Sequence, residues 1–199
     1  MSDPIADAAE ALRRGGLVVL PTDTVHGIAA RPDEAAATER LFAAKARPRD
    51  LELPVLVPDV GAARGVARFD DRAEALAARF WPGPLTIVLP RAAASAPWEL
   101  GGDPATVGVR VPRHPLALAL LARTGPLAVT SANRSGEPTP STCDGIVAVF
   151  GDAVDVYLCA EDQLGGAPST VVDLAHGEPR ILREGALPAA DVLATLRSA

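Results

Sequence analysis

Leu17-Val18-Val19-Leu20-Pro21-Thr22-Asp23-Thr24-Val25-His26-Gly27-Ile28 is the stretch on which the reading of the fold turns. Four consecutive apolar residues, two of them β-branched, read as a short buried strand. Pro21 stops it, because a proline offers no N–H to a ladder. Thr22-Asp23-Thr24 then forms a polar turn, and a second strand includes Ile28 to Ala30. Upstream, Ser2 or Asp3 can cap a first helix with Pro4 at its start and Gly15-Gly16 at its end. Strand, polar turn and strand, entered from a helix, already point to a mixed α/β architecture.

The pattern continues outward. Asp33 is expected to cap a helix running to about Ala46, with Ala37, Leu41 and Ala44 on one face. Val55 to Val57 reads as a strand, Asp71 to Phe80 as a helix, and Leu85 to Leu89 and Val107 to Val111 as strands. Pro115 to Arg123 reads as a helix, Leu127 to Thr130 as a strand and Asp144 to Phe150 as a short helix. Val154 to Leu158, Thr170 to Leu174 and Arg180 to Leu182 complete the strands, and a last helix starts near Pro188. Strands and helices interleave without strict alternation. The expectation is a single α/β domain over residues 1–199, with one mixed, twisted sheet flanked by helices.

Composition narrows the function. With 199 residues and 48% hydrophobic content, the chain should bury roughly 70% of its unfolded surface. An acidic start and a first apolar run of four residues fit neither a secretory signal nor a membrane span. Cys143 and Cys159 lack paired spacing, which favours reduced thiols in the cytoplasm over a disulfide framework. A net charge of −6 counts against a dedicated nucleic-acid binder. There is no G-x-x-x-x-G-K-[ST] loop, no G-x-G-x-x-G fingerprint and no G-x-S-x-G elbow. His26, His114 and His176 stand apart, with no zinc-ligand spacing.

What the chain carries instead is a set of hydroxyl and cationic side chains where elements end: Thr22 and Thr24, Lys45 and Arg47, Ser131 and Asn133, Ser169, and Arg183. In open α/β sheets, ligand crevices form outside strand ends. Arginines give forked bonds to phosphate or carboxylate and lysine a compact charge. Taken singly, each has a plain structural role open to it, such as turn, cap or complement to a helix C-terminus. Arg110 is harder to explain that way, because its strand is otherwise apolar and an unpaired buried charge is costly. Lys45 is the only lysine among 19 basic residues.

Together these segments resemble the YrdC family of threonylcarbamoyl-AMP synthases. The similarity rests on residues 17–28, on Lys45-Ala46-Arg47-Pro48, on Trp81-Pro82-Gly83-Pro84-Leu85-Thr86 and on Val107-Gly108-Val109-Arg110-Val111-Pro112. It extends to Ser131-Ala132-Asn133-Arg134-Ser135-Gly136, Pro168-Ser169-Thr170-Val171-Val172-Asp173 and Ile181-Leu182-Arg183-Glu184-Gly185. It covers about residues 10–187, in the family's order, without the further C-terminal domain of longer members. The resemblance implies a large concave cavity in which L-threonine, bicarbonate (or CO2) and ATP give threonylcarbamoyl-AMP and pyrophosphate, with Mg²⁺ accompanying ATP. It further implies a nucleotidyltransferase whose product passes to a transferase acting on tRNA. By position, Lys45 and Arg47 are the expected catalytic cations. Thr24, His26, Arg110, Ser131 and Ser169 are expected at L-threonine. Lys45, Arg47, Thr106, Asn133, Ser141 and Arg183 are expected at ATP.

The chain departs from that pattern at three positions. His26 stands where the family usually has tyrosine, Leu51 where a polar or basic residue is usual, and Glu52 where proline is common. An RNA-binding module, or a carbamoyl-adenylate enzyme with another acceptor, are the competing readings. Pyrophosphate release with and without threonine separates all three.

Overall fold

The computed structural model of the protein describes residues 3–159 and 164–198. Helix α1 (Pro4–Arg13) starts where the sequence predicts. The Asp3 carboxylate accepts from the backbone N–H groups of Ile5 and Ala6 at 3.0 and 3.3 Å, satisfying donors that a first turn leaves free. Ser2, the other candidate cap, lies outside the described residues. Strands β1 (Val18–Leu20) and β2 (Gly27–Ala30) pair antiparallel across the polar turn, Val19 opposite Ile28. There follow α2 (Ala35–Lys45), β3 (Val55–Leu56), α3 (Val60–Val66), α4 (Asp71–Phe80), β4 (Leu85–Pro90), β5 (Thr106–Arg110) and α5 (Pro115–Thr124). Next come β6 (Leu127–Ser131), α6 (Cys143–Phe150), a 3-10 turn (Gly151–Ala153), β7 (Val156–Tyr157), β8 (Thr170–Asp173), β9 (Arg180–Arg183) and α7 (Ala189–Leu196).

The strands form one sheet in the order β7-β1-β2-β6-β3-β5-β4-β8-β9. β1/β7, β3/β5 and β4/β8 run parallel and the other neighbours antiparallel. The sheet is mixed, as expected. Alternation along the pleat sends neighbouring residues to opposite sides. Val19, Ile28, Ala30, Val55 and Ala128 join the larger core, with Leu41 of α2, Ala63 of α3, Leu76 of α4 and Val192 of α7. Val18, Leu20, Ala29, Leu56, Leu127 and Val129 join a smaller core under Leu12 of α1 and Leu120 of α5. Each fully buried leucine or valine contributes about 1.5–3 kcal/mol. The smaller core takes no residue from β4, β5, β8 or β9. On that side these four strands have no helical cover, and the uncovered face becomes the wall of a cavity.

Several expectations need correction. Asp33 does not cap α2; its carboxylate pairs with Arg31, and the N-cap residue is Glu34, whose side chain makes no cap bond. Helix α3 was not foreseen, since Gly61 and Gly65 weaken its pattern; Asp59 starts it by accepting from the Ala62 N–H at 2.8 Å. The strand expected over Val154 to Leu158 shrinks to β7. Cys143 and Cys159 are joined in a disulfide, because α6 returns its first residue to the end of β7. Spacing along the chain carries no sign of that proximity. Among the described residues no helix is long and apolar enough to cross a membrane.

Candidate functional site

The uncovered face holds a cavity of about 370 Å³, within the range of small-molecule sites. Its floor is the pleat of the sheet: Thr86 and Val88 of β4, Gly108 and Arg110 of β5, Val129 of β6 and Val171 of β8. Gly27 of β2 also lines it. A Cβ there would lie 2.5 Å from Val129 Cγ1, so any larger residue would have to displace the Val129 side chain from the cavity floor.

The β1–β2 turn forms one end. Thr22 Oγ1 donates to Val25 O at 2.6 Å and accepts from the N–H groups of Thr24 and Val25. Since its only proton is used on Val25, the 2.9 Å contact between the Thr22 and Thr24 hydroxyls has Thr24 as donor. Arg110 Nη1 in turn donates to Thr24 Oγ1 at 3.1 Å, its Nε to Gly83 O at 2.9 Å and its Nη2 to Asp23 Oδ1 at 2.6 Å. Burial lowers the guanidinium's pKa, and Asp23 opposes that effect. The charge foreseen as costly is therefore paired, by a residue the sequence reading passed over as part of a turn. Arg110 still lines the cavity.

The C-terminus of α2 forms a second wall. Ala46 adopts a left-handed conformation (φ 49°) at the C-cap, which turns Lys45 and Arg47 in different directions. Arg47 lines the cavity, and its guanidinium donates to the backbone carbonyls of Leu51 and Glu52 at 3.1 and 2.8 Å. Lys45 goes behind the wall. Its ammonium donates to the Ser131 and Asn133 carbonyls, and the residue is 1% exposed. Burial, with Arg47 adding repulsion, lowers its pKa to about 7. A solvated helix-end charge is excluded by that placement.

The third wall comes from β8 and β9. Ser169 Oγ lies 2.9 Å from Thr86 Oγ1 and 3.1 Å from Arg183 Nη2, while Arg183 also donates to Ser169 O at 3.0 and 2.8 Å. Gly185 makes this crossing possible, since a Cβ there would lie 2.2 Å from Pro168 O. Burial lowers the pKa values of both Arg47 and Arg183. Leu51 and Leu182, 44% and 55% exposed, sit among the lining residues.

Of the expected site residues, Thr24, Arg47, Arg110, Ser131, Ser169 and Arg183 line one cavity. Lys45, His26, Thr106, Asn133 and Ser141 do not. His26 is 3% exposed, its Nε2 has no hydrogen-bond partner among the described residues, and burial together with His114 lowers its pKa. Thr106 is buried at the start of β5, its hydroxyl 3.4 Å from Asp103 O. Asn133 spends its amide on Arg134 O and Glu137 O, and its Oδ1 accepts from Thr139. Ser141 is exposed, ahead of α6. Asp23, Thr86 and Glu52 are polar positions not included in the site reading. Asp23 and Thr86 belong to segments that carry the resemblance, but nothing in their spacing marks Asp23 as the mate of Arg110.

Known proteins match this chain in sequence and in fold. The family model Sua5_yciO_yrdC, described as "Telomere recombination", matches residues 10–185. A Mycobacterium leprae protein is 44% identical over 193 residues, 96% of this chain and 87% of that one. A Chromohalobacter salexigens protein named threonylcarbamoyl-AMP synthase is 40% identical over 181 residues, 89% of this chain and 96% of that one. The structure of Pyrococcus abyssi Sua5 complexed with L-threonine superposes with a TM-score of 0.87 at 35% identity, over 96% of this chain and 56% of that one. The chain thus spans little more than half of that longer protein.

Proposed function

The chain belongs to the Sua5/YciO/YrdC family, and on that premise we propose that it condenses L-threonine, bicarbonate and ATP into threonylcarbamoyl-AMP and pyrophosphate. Relatives named for this activity and the threonine complex of Pyrococcus abyssi Sua5 support the reading. The observation that carries it is the contact between Ser169 Oγ and Arg183 Nη2 at 3.1 Å. It joins the hydroxyl expected at the amino acid to a cation expected at the nucleotide, so the two substrates would meet in one chamber.

The chemistry has two steps. The threonine amine attacks the carbon of bicarbonate, giving a threonine carbamate and water. A carbamate oxygen then attacks the α-phosphorus of ATP, and pyrophosphate leaves. The adenylyl group moves to the carbamate, which makes the enzyme a nucleotidyltransferase. Arg110, held by Asp23, would bind the substrate carboxylate. Arg47 and Arg183 would stabilise charge on the phosphates. A carbamate is short-lived in water, so forming it beside ATP is where proximity contributes. Lys45 would act through the Ser131–Asn133 backbone that it fixes. Mg²⁺ enters as part of the nucleotide substrate. Among the described residues no cluster of three or more His, Cys, Asp or Glu is placed to hold an ion, so phosphate oxygens and water would ligate it.

The labile product would be handed, in the cytoplasm, to a transferase that places the threonylcarbamoyl group on tRNA. The test is pyrophosphate release from ATP and bicarbonate, with and without L-threonine. Threonine-dependent release is expected. No release would favour an RNA-binding module, and release independent of threonine an enzyme with another acceptor.

A further inference from the structure

Among the described residues that line the cavity, Glu52 is the one carboxylate, and the two reaction steps give it no role. It follows Leu51 in the loop beyond α2, and its own carbonyl accepts from Arg47 at 2.8 Å. That guanidinium donates through Nε and Nη2 to the Leu51 and Glu52 carbonyls and makes no ion pair with the Glu52 side chain. Oε1 is buried and has no hydrogen-bond partner among the described residues. The Gly108 N–H, on the cavity floor, favours the ionised form only slightly against burial.

The charges around the carboxyl come from four elements. Arg47 lies in the same loop. Arg91, just after β4, is the nearby cation and after burial the strongest influence, favouring the ionised form; its donors go to the carbonyls of Thr106, Ser95 and Trp98 and it makes no direct bond to Glu52. Asp103, ahead of β5, and Asp173, at the end of β8, both repel a negative charge at Glu52. His176 pairs with these two aspartates and is held protonated above its ordinary range by them. No ion pair with Glu52 forms among the described residues, and burial carries the carboxyl up to about 8.

A carboxylate in this position would oppose any polyphosphate brought in by Arg47 and Arg183. A neutral carboxylic acid would not, and it has an O–H to donate. We propose that Glu52 meets the bound nucleotide as a neutral acid, donating its proton to a phosphate oxygen, so that ATP binds this chain together with one proton. Glu52 is then an affinity-determining residue of the nucleotide site. Its proton makes it a donor where an ionised carboxylate would repel, and its side chain fills a wall position. The inference rests on the nucleotide reading given above, and its test separates the two.

The measurement is ATP binding by calorimetry, with Mg²⁺ and without threonine or bicarbonate, at pH 7.5 and pH 9.0. Each pH is run in two buffers of different ionisation enthalpy. In this window the γ-phosphate is already ionised, and Lys45, its pKa lowered to about 7, titrates alike in the wild type and in Glu52→Gln, so the comparison isolates Glu52. The wild type should bind about fivefold more weakly at pH 9.0 and take up a fraction of a proton per ATP in this window. Glu52→Gln, which keeps the shape and supplies an N–H donor, should lose less than about twofold over the window and take up correspondingly less. A Glu52→Gln variant whose affinity falls with pH as steeply as the wild type's overturns the proposal while leaving the nucleotide reading in place. A wild type whose affinity is unchanged between the two pH values overturns it equally, without relying on any variant. No ATP binding at either pH overturns the functional reading and this inference with it.

Discussion

Arg110 Nη2 and Asp23 Oδ1 lie 2.6 Å apart in the cavity wall, with side chains only 6% and 7% exposed. Asp23 Oδ1 also accepts from the Arg113 N–H at 2.8 Å, so the carboxylate ties the β1–β2 turn to the end of β5 while it aims the guanidinium. Breaking such a pair by removing one member costs about 3–5 kcal/mol, because the other charge is left buried and unpaired.

Arg110→Leu should therefore lose both stability and function. Unfolding in denaturant should show a loss of about 3 kcal/mol or more, and the threonine KM should rise at least about tenfold. The double variant Asp23→Leu/Arg110→Leu should regain most of the stability and none of the threonine affinity. If it regained both, the pair would serve only the fold.

His26 is expected to govern acid stability rather than substrate binding. Its folded pKa lies below the ordinary 6.5, chiefly through burial and secondly through His114. A histidine with a depressed folded pKa is neutral in both states above 6.5. Below that, the unfolded chain takes up the proton first, so stability falls as pH drops from 6.5 toward the folded value. Melting temperatures between pH 7.5 and 5.5 should decline in the wild type and decline less in His26→Tyr. Threonine affinity should not follow the same profile, since His26 is not among the residues lining the cavity. Superimposable melting curves for the two proteins would refute the assignment.

How far the chain could be read depended on whether the deciding interaction was local. Helix α4 covers the expected span Asp71–Phe80, and β1 ends where Pro21 stops its apolar run but starts at Val18 rather than Leu17. Helix α3 was missed because two glycines break a seven-residue segment that its Asp59 cap starts. The convergence of Thr24, Arg110, Ser169 and Arg183 was suggested by hydroxyl and cationic residues gathered at strand ends and given definite roles only by the resemblance. The reason Arg110 can be buried was not legible, since its mate lies 87 positions away. The different directions of Lys45 and Arg47 depend on the left-handed Ala46, a conformation that an alanine does not advertise.

The disulfide between Cys143 and Cys159 closes a loop with a sequence separation of 16. A loop of that size gains about 3 kcal/mol in the chain-entropy account. Reduction, or Cys143→Ser, should lower the melting temperature by several degrees, and thiol titration of the unfolded, unreduced protein should find no free thiol. Two titratable thiols and an unchanged melting temperature under reductant would mean that the cysteines are not paired in solution.

Lys45 offers the sharpest test, because its position is now defined by packing as well as by sequence. The ammonium donates to the Ser131 and Asn133 carbonyls with 1% of the residue exposed, and the Lys45 carbonyl accepts from the Ser135 N–H at 2.9 Å. Three points of one loop are thus held to the end of α2. A guanidinium is larger and planar, and the lysine it would replace is 1% exposed and holds two carbonyls, so Lys45→Arg should lower turnover at least about tenfold although the charge is kept. It should also destabilise by about 1–3 kcal/mol, the cost of overpacking a closed site. Arg49→Lys should do neither, since Arg49 packs over the Phe42 ring at 4.5 Å and pairs with Glu39 at the surface. Protonation supplies an independent reading. The folded pKa, about 7, lies below the ordinary 10.5, so the charged form carries its full cost at pH 7 and below. That cost falls away as pH rises from 7 toward 10.5, where the unfolded chain holds more protons. Stability against denaturant should therefore rise between pH 7 and 9.5 in the wild type, and that increment should be missing in Lys45→Met. A Lys45→Arg protein with wild-type turnover, or a Lys45→Met protein with the same pH increment, would show that the ammonium does not fix the Ser131–Asn133 wall.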